Sequence, residues 1–93
     1  MALKTYIIER DIPGVDQMSP QQLKEASAAS NAVLDQLGPK VRWLESFVAK
    51  DKTFCVYQAE DEQVIQEHAR LSGFPANRIT EVGGKIGPAT AGA

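Results

Sequence analysis

The groups able to do chemistry in this chain are few and far apart in sequence. Its 93 residues include one histidine, His68, and one cysteine, Cys55. Imidazole titrates near neutral pH and serves as a metal ligand or a proton shuttle. A thiolate beside it would suit nickel, copper or zinc. Glu9 is the third candidate metal ligand, because a carboxylate held in an apolar layer becomes a base or a hard ligand. Glu9, Ser46 and Tyr57 are also candidates to line a small-molecule pocket. Each group has a plainer reading beside the chemical one. His68 sits at the edge of an apolar helical stripe, where a histidine is hydrogen-bonded to its surroundings. Cys55 serves equally as a small buried hydrophobe, and Glu9 as a strand-end carboxylate in water. No CxxC, HxxxH or HExxH spacing is present, so no metal motif is written in the sequence. No nucleophile–base pair stands at diagnostic spacing, and no residue is assigned a catalytic role. Gly83-Gly84 follow the last apolar segment without a helix after them, so they are not a phosphate loop.

The elements that position these groups begin with a strand over Leu3–Arg10, with Tyr6 and Ile8 on one face and Leu3, Thr5, Ile7 and Glu9 on the other. Asp11–Met18 reads as loop. Ser19 before Pro20 is a helix start. Leu23, Ala26, Ser27, Ser30, Val33, Leu34 and Leu37 then recur at helical spacing until Gly38-Pro39, a helix of about 18 residues. Glu60-Asp61-Glu62 carries the negative charge that favours a helix N-terminus. Val64, Ile65, His68, Ala69 and Ser72 make the next stripe, and Gly73 ends it. Ile79–Val82 reads as the last strand. The Gly-, Pro- and Ala-rich residues 83–93 form a tail with few side chains able to pack, expected to be mobile and free to strap onto a partner.

Val41–Ala59 reads as a β-hairpin with two apolar faces. A turn at Asp51-Lys52 would place Leu44, Ser46, Val48, Cys55, Tyr57 and Ala59 on one face. Trp43, Phe47, Phe54 and Val56 then fall on the other, with Val41, Glu45 and Gln58. The order is βαββαβ, a ferredoxin-like α+β fold with a four-stranded antiparallel sheet and two helices on one face. Residues 1–82 make the single domain. Two helices cover one sheet face, so the second needs another cover. A second copy under two-fold symmetry supplies it, which makes the fold a dimeric α+β barrel with Trp43, Phe47, Phe54 and Val56 at the interface. Trp43 with Phe47 has a further reading as an aromatic ligand platform.

Net charge is −2, which offers no basic field to nucleic acid. No apolar run approaches the length of a membrane span, and no signal peptide is apparent. The single cysteine fits a reducing interior, so the expected compartment is the cytoplasm and the expected partners are a second copy and a small ligand.

Three segments together carry a resemblance: YIIERDIPG, VRWLESFVAKDKTFCVYQAED and HARLSGFPANRITEV. They resemble a family of small bacterial proteins catalogued as a domain of unknown function and typified by a nickel-binding, nickel-responsive dimer of ferredoxin-like fold. The resemblance covers roughly residues 4–82. It implies the same dimeric fold, and nickel or another divalent transition metal as the cofactor. The readings therefore stand as a non-enzymatic metal binder through Cys55, His68 and Glu9, a small-molecule binder or enzyme with a helix–sheet pocket, or an interaction module.

Overall fold

The computed structural model describes residues 2–92. Along the chain run β1 (Lys4–Asp11), α1 (Pro20–Leu37), β2 (Val41–Ala49), β3 (Lys52–Ala59), α2 (Glu62–Ser72) and β4 (Arg78–Glu81). This is the expected βαββαβ order. The strands form one antiparallel sheet in the order β2-β3-β1-β4. Both helices start where side chains satisfy their free N–H groups. The Ser19 hydroxyl accepts from the Gln22 amide, and the Gln22 side chain accepts from the Ser19 amide, at 3.2 and 2.8 Å. The Asp61 carboxylate accepts from the Val64 amide at 3.1 Å. Gly73 ends α2 at φ 79, a left-handed position that costs glycine nothing.

The core lies between the helices and one sheet face. It joins Tyr6 and Ile8 of β1, Val41 of β2, and Cys55, Tyr57 and Ala59 of β3 to Ile65 of α2, with Leu34 and Leu37 of α1 packed against them. Along β3 buried and half-buried residues alternate strictly, the period of a strand covered on one side.

The hairpin departs from the register that spacing predicts in two places. The turn is Lys50-Asp51, closed by Ala49 and Lys52, not Asp51-Lys52. Asp51 takes φ 55, a conformation aspartate tolerates in turns. Its carboxylate accepts from the Gly14 amide at 2.7 Å and its carbonyl from the Ile12 amide at 3.1 Å, which docks the turn on the loop after β1. Ser46 therefore opposes Cys55, and Val48 opposes Thr53. The displacement is two residues, so Ser46, Val48, Cys55, Tyr57 and Ala59 keep their predicted face.

The second departure is a β-bulge. Pairing steps from Trp43–Tyr57 to Glu45–Val56, which leaves Leu44 without an opposite number. Upstream of that extra residue every side chain changes face. Trp43 and Val41 consequently lie on the helix side, not on the open face with Phe47, Phe54 and Val56 where Trp43 was expected. Its ring stacks on Tyr57 with centroids 6.4 Å apart, and its indole N–H donates to the Ser46 hydroxyl at 2.9 Å. Leu44, expected under the helices, is 46 % exposed.

The opposite sheet face carries Phe47, paired with Phe54, and Ile7, paired with Val56. Phe47 is 57 % exposed and Phe54 and Val56 are half-buried. Residues 83–92 are exposed throughout and end in a short 3-10 turn over Pro88–Gly92. Among the described residues no helix is long and apolar enough to cross a membrane.

Candidate functional site

A cavity of about 160 Å³ opens between α1, the loop after β1 and the covered face of the sheet. Its apolar lining includes Val15, Met18, Leu23 and Ala26, and its polar lining includes Arg10, Ser30, Trp43, Ser46, Thr53 and Tyr57, with Cys55 among them. Helical spacing on α1 brings Ala26 and Ser30 to the same wall, one turn apart. Strand alternation on β3 brings Thr53, Cys55 and Tyr57 there from below.

Arg10 is the charged group of this cavity. It falls on the same face of β1 as Tyr6 and Ile8 and is only 3 % exposed. One guanidinium nitrogen, Nη1, donates to the Pro75 carbonyl at 2.8 Å. The other, Nη2, is buried without a partner among the described residues. The guanidinium carbon lies 5.8 Å from the centre of the Tyr57 ring, a cation–π contact. The ion pairs among the described residues, Lys52 with Glu9 and Asp11 and Arg70 with Glu67, leave Arg10 out.

Behind the polar lining stands His68, 0 % exposed on the inner face of α2. Its Nε2 is 3.0 Å from the Ser30 hydroxyl, and its Nδ1 has no partner among the described residues, so either tautomer leaves one ring nitrogen unpaired there. Burial first, and the Arg10 charge second, push its pKa down to about 4, against the opposing contact with Ser30. His68 is neutral at neutral pH. Its ring lies 5.4 Å from that of Tyr57. Burial raises the Tyr57 pKa, opposed by the Arg10 charge and the Ser30 hydroxyl. The phenol stays protonated and able to donate.

The predicted site residues divide between two faces. Ser46, Cys55 and Tyr57 line the cavity and His68 backs it. Glu9 does not join them. It opposes Phe54 on the other face of the sheet and pairs with Lys52 at 3.3 Å. The alternation that buries Ile8 and Arg10 turns Glu9 the other way, so it approaches neither Tyr57 nor Cys55. Within one chain the Cys55–His68–Glu9 set does not fit a metal ion. Among the described residues no three His, Cys, Asp or Glu side chains converge on one point. Cys55 instead lies with its sulfur 3.5 Å from the Thr53 hydroxyl. Arg10 is the site residue that reasoning on sequence missed. Its signal was present, since alternation from Tyr6 and Ile8 reaches residue 10.

No curated protein matches the chain. Among solved structures it is similar to the crystal structure of SCO4226 from Streptomyces coelicolor A3(2). The TM-score is 0.72 at 20 % identity, over 88 % of this chain and 99 % of that one. At that identity the likeness speaks to the fold, the ferredoxin-like α+β sheet described above. The family model described as "Nickel responsive protein SCO4226-like" matches residues 6–82, from β1 to the end of β4. By that match the chain belongs to the SCO4226-like family of nickel-responsive proteins.

Proposed function

We propose that this protein acts by binding, and that its ligand site is the cavity between α1 and the sheet. The observation that carries this reading is a cavity lined by Arg10, Ser30, Ser46 and Tyr57 among mainly apolar side chains. A pre-formed apolar hollow with a few directed polar groups is the usual form of a small-molecule site. Its size is that of an engineered cavity of about 150 Å³ that takes benzene. In a nickel-responsive family, such a site makes the chain a carrier or sensor of a small molecule within that response. Its single cysteine is buried and unpaired, which supports a reducing compartment and hence the cytoplasm.

The test is protein-observed NMR of the full chain with a panel of single-ring fragments, neutral and acidic. Saturable shifts should cluster at Ser30, Ser46 and Tyr57. Ala26→Phe, which fills the cavity from α1, should abolish them. Shifts scattered over the surface, or unchanged by Ala26→Phe, would place the ligand elsewhere.

Direct nickel binding is the second reading, favoured by the family description. Cys55 and His68 on one side of the sheet, and Glu9 on the other, would then serve separate sites or combine with groups of a second copy. We propose also that the second copy docks on the open face through Ile7, Phe47, Phe54 and Val56, whose apolar surface one chain leaves partly in water.

A further inference from the structure

We propose that the ligand of this cavity is a small organic acid, its carboxylate held by Arg10 and its apolar body by the wall formed by α1. The inference rests on the cavity being the ligand site, and it adds the chemical class.

Arg10 is the basis. A guanidinium is always protonated and offers its donors in a planar fork. Burying one without a counter-charge is costly, and natural interiors pair such groups. Here the fork is half used. Nη1 is engaged by the Pro75 carbonyl, Nη2 is buried without a hydrogen-bond partner among the described residues, and Arg10 lines the cavity. A carboxylate meeting this guanidinium would supply both the absent charge and the absent acceptor.

The neighbouring groups are suited to an anion. The Ser46 hydroxyl accepts from Trp43, which leaves its own proton to donate. The phenol of Tyr57 is protonated and donates as well. Among the described residues no carboxylate lines the cavity to compete for the guanidinium, and Arg10 is the only lysine or arginine of the lining. One positive charge matches one negative charge, which favours a carboxylate over a phosphate dianion. The rest of the wall, from Val15, Met18, Leu23 and Ala26, suits a short alkyl chain or a single ring.

Trp43 lines the same cavity and is the single tryptophan of the chain, so its emission reports on occupancy. Tag-free full-length protein is titrated with hexanoate and with hexanamide, which share an apolar body and differ in charge. Hexanoate should change the emission saturably and bind about tenfold or more tightly than hexanamide, the worth of a charged hydrogen bond. Arg10→Gln should bring the acid down to the level of the amide. Should the variant not fold, ¹⁵N NMR of wild-type arginine side chains gives the same answer, since hexanoate must shift the Arg10 guanidinium signals. Equal binding of acid and amide, an acid preference that survives Arg10→Gln, or unmoved guanidinium signals would overturn the carboxylate while leaving the cavity as a site. No response to either compound would remove both.

Discussion

His68 is a buried imidazole with one nitrogen unpaired among the described residues and a guanidinium nearby, and it is held neutral. Its folded pKa lies near 4, against 6.5 for an unconstrained histidine. Between those values the unfolded chain takes up a proton that the folded chain refuses. Stability is therefore full above about pH 6.5 and falls as pH drops toward 4. The slope is about 1.4 kcal/mol per pH unit, and the whole window is worth roughly 3 kcal/mol. Urea midpoints between pH 5 and 7 should show this slope in the wild type and a flatter one in His68→Gln. Equal slopes would mean that the imidazole is protonated in the fold. At this scale the sequence was a partial guide. Alternation put Tyr57 and Cys55 on the covered face, and helical spacing put His68 only at the edge of its apolar stripe, whereas it is fully buried. Glu9 was drawn into the site because its type suited a ligand, although its own alternation class, shared with Ile7, pointed away. Arg10 was passed over for the opposite reason, since a charged residue at a strand end reads as solvent-facing.

Among the elements, β2 decides the shape of the site. Capping and glycine signals marked both helices, because Ser19, Asp61 and Gly73 act through their own backbones and need no distant partner. The bulge at Leu44 has no such local mark. It arises because Trp43 gains a ring partner in Tyr57 and a hydrogen bond to Ser46 only when one residue is looped out. Deleting Leu44 should leave regular pairing, with Trp43–Tyr57 followed directly by Glu45–Val56, and keep Trp43 and Val41 on the helix side. Stability should change by about 1 kcal/mol or less, with native Trp43 emission. A red-shifted emission with a lowered denaturation midpoint would show that the extra residue is needed to seat the tryptophan.

For the whole molecule, order and topology were legible because two-faced apolar strands and two amphipathic helices admit few arrangements. The same argument leaves one sheet face needing cover. If a second copy covers it, Phe47→Glu should give a monomer by light scattering, with little loss of fold, because Phe47 is 57 % exposed in the single chain. Calorimetry with nickel on the tag-free protein then separates the metal readings. Binding lost together with the dimer indicates ligands drawn from two copies. Binding kept by the monomer but lost in His68→Ala indicates the imidazole, and no binding by either form removes direct nickel coordination. The sheet order has one more consequence, for a chain made from its N-terminus. The central strand β1 pairs with β3 and β4 and never with the neighbour that follows it, β2. As the ribosome extends the chain, Tyr6, Ile7 and Ile8 wait through the synthesis of α1 and β2 before Ala59, the partner of Lys4, has been made. At ordinary translation speeds that interval lasts several seconds. During that interval the apolar residues of β1 lack both of their strand neighbours.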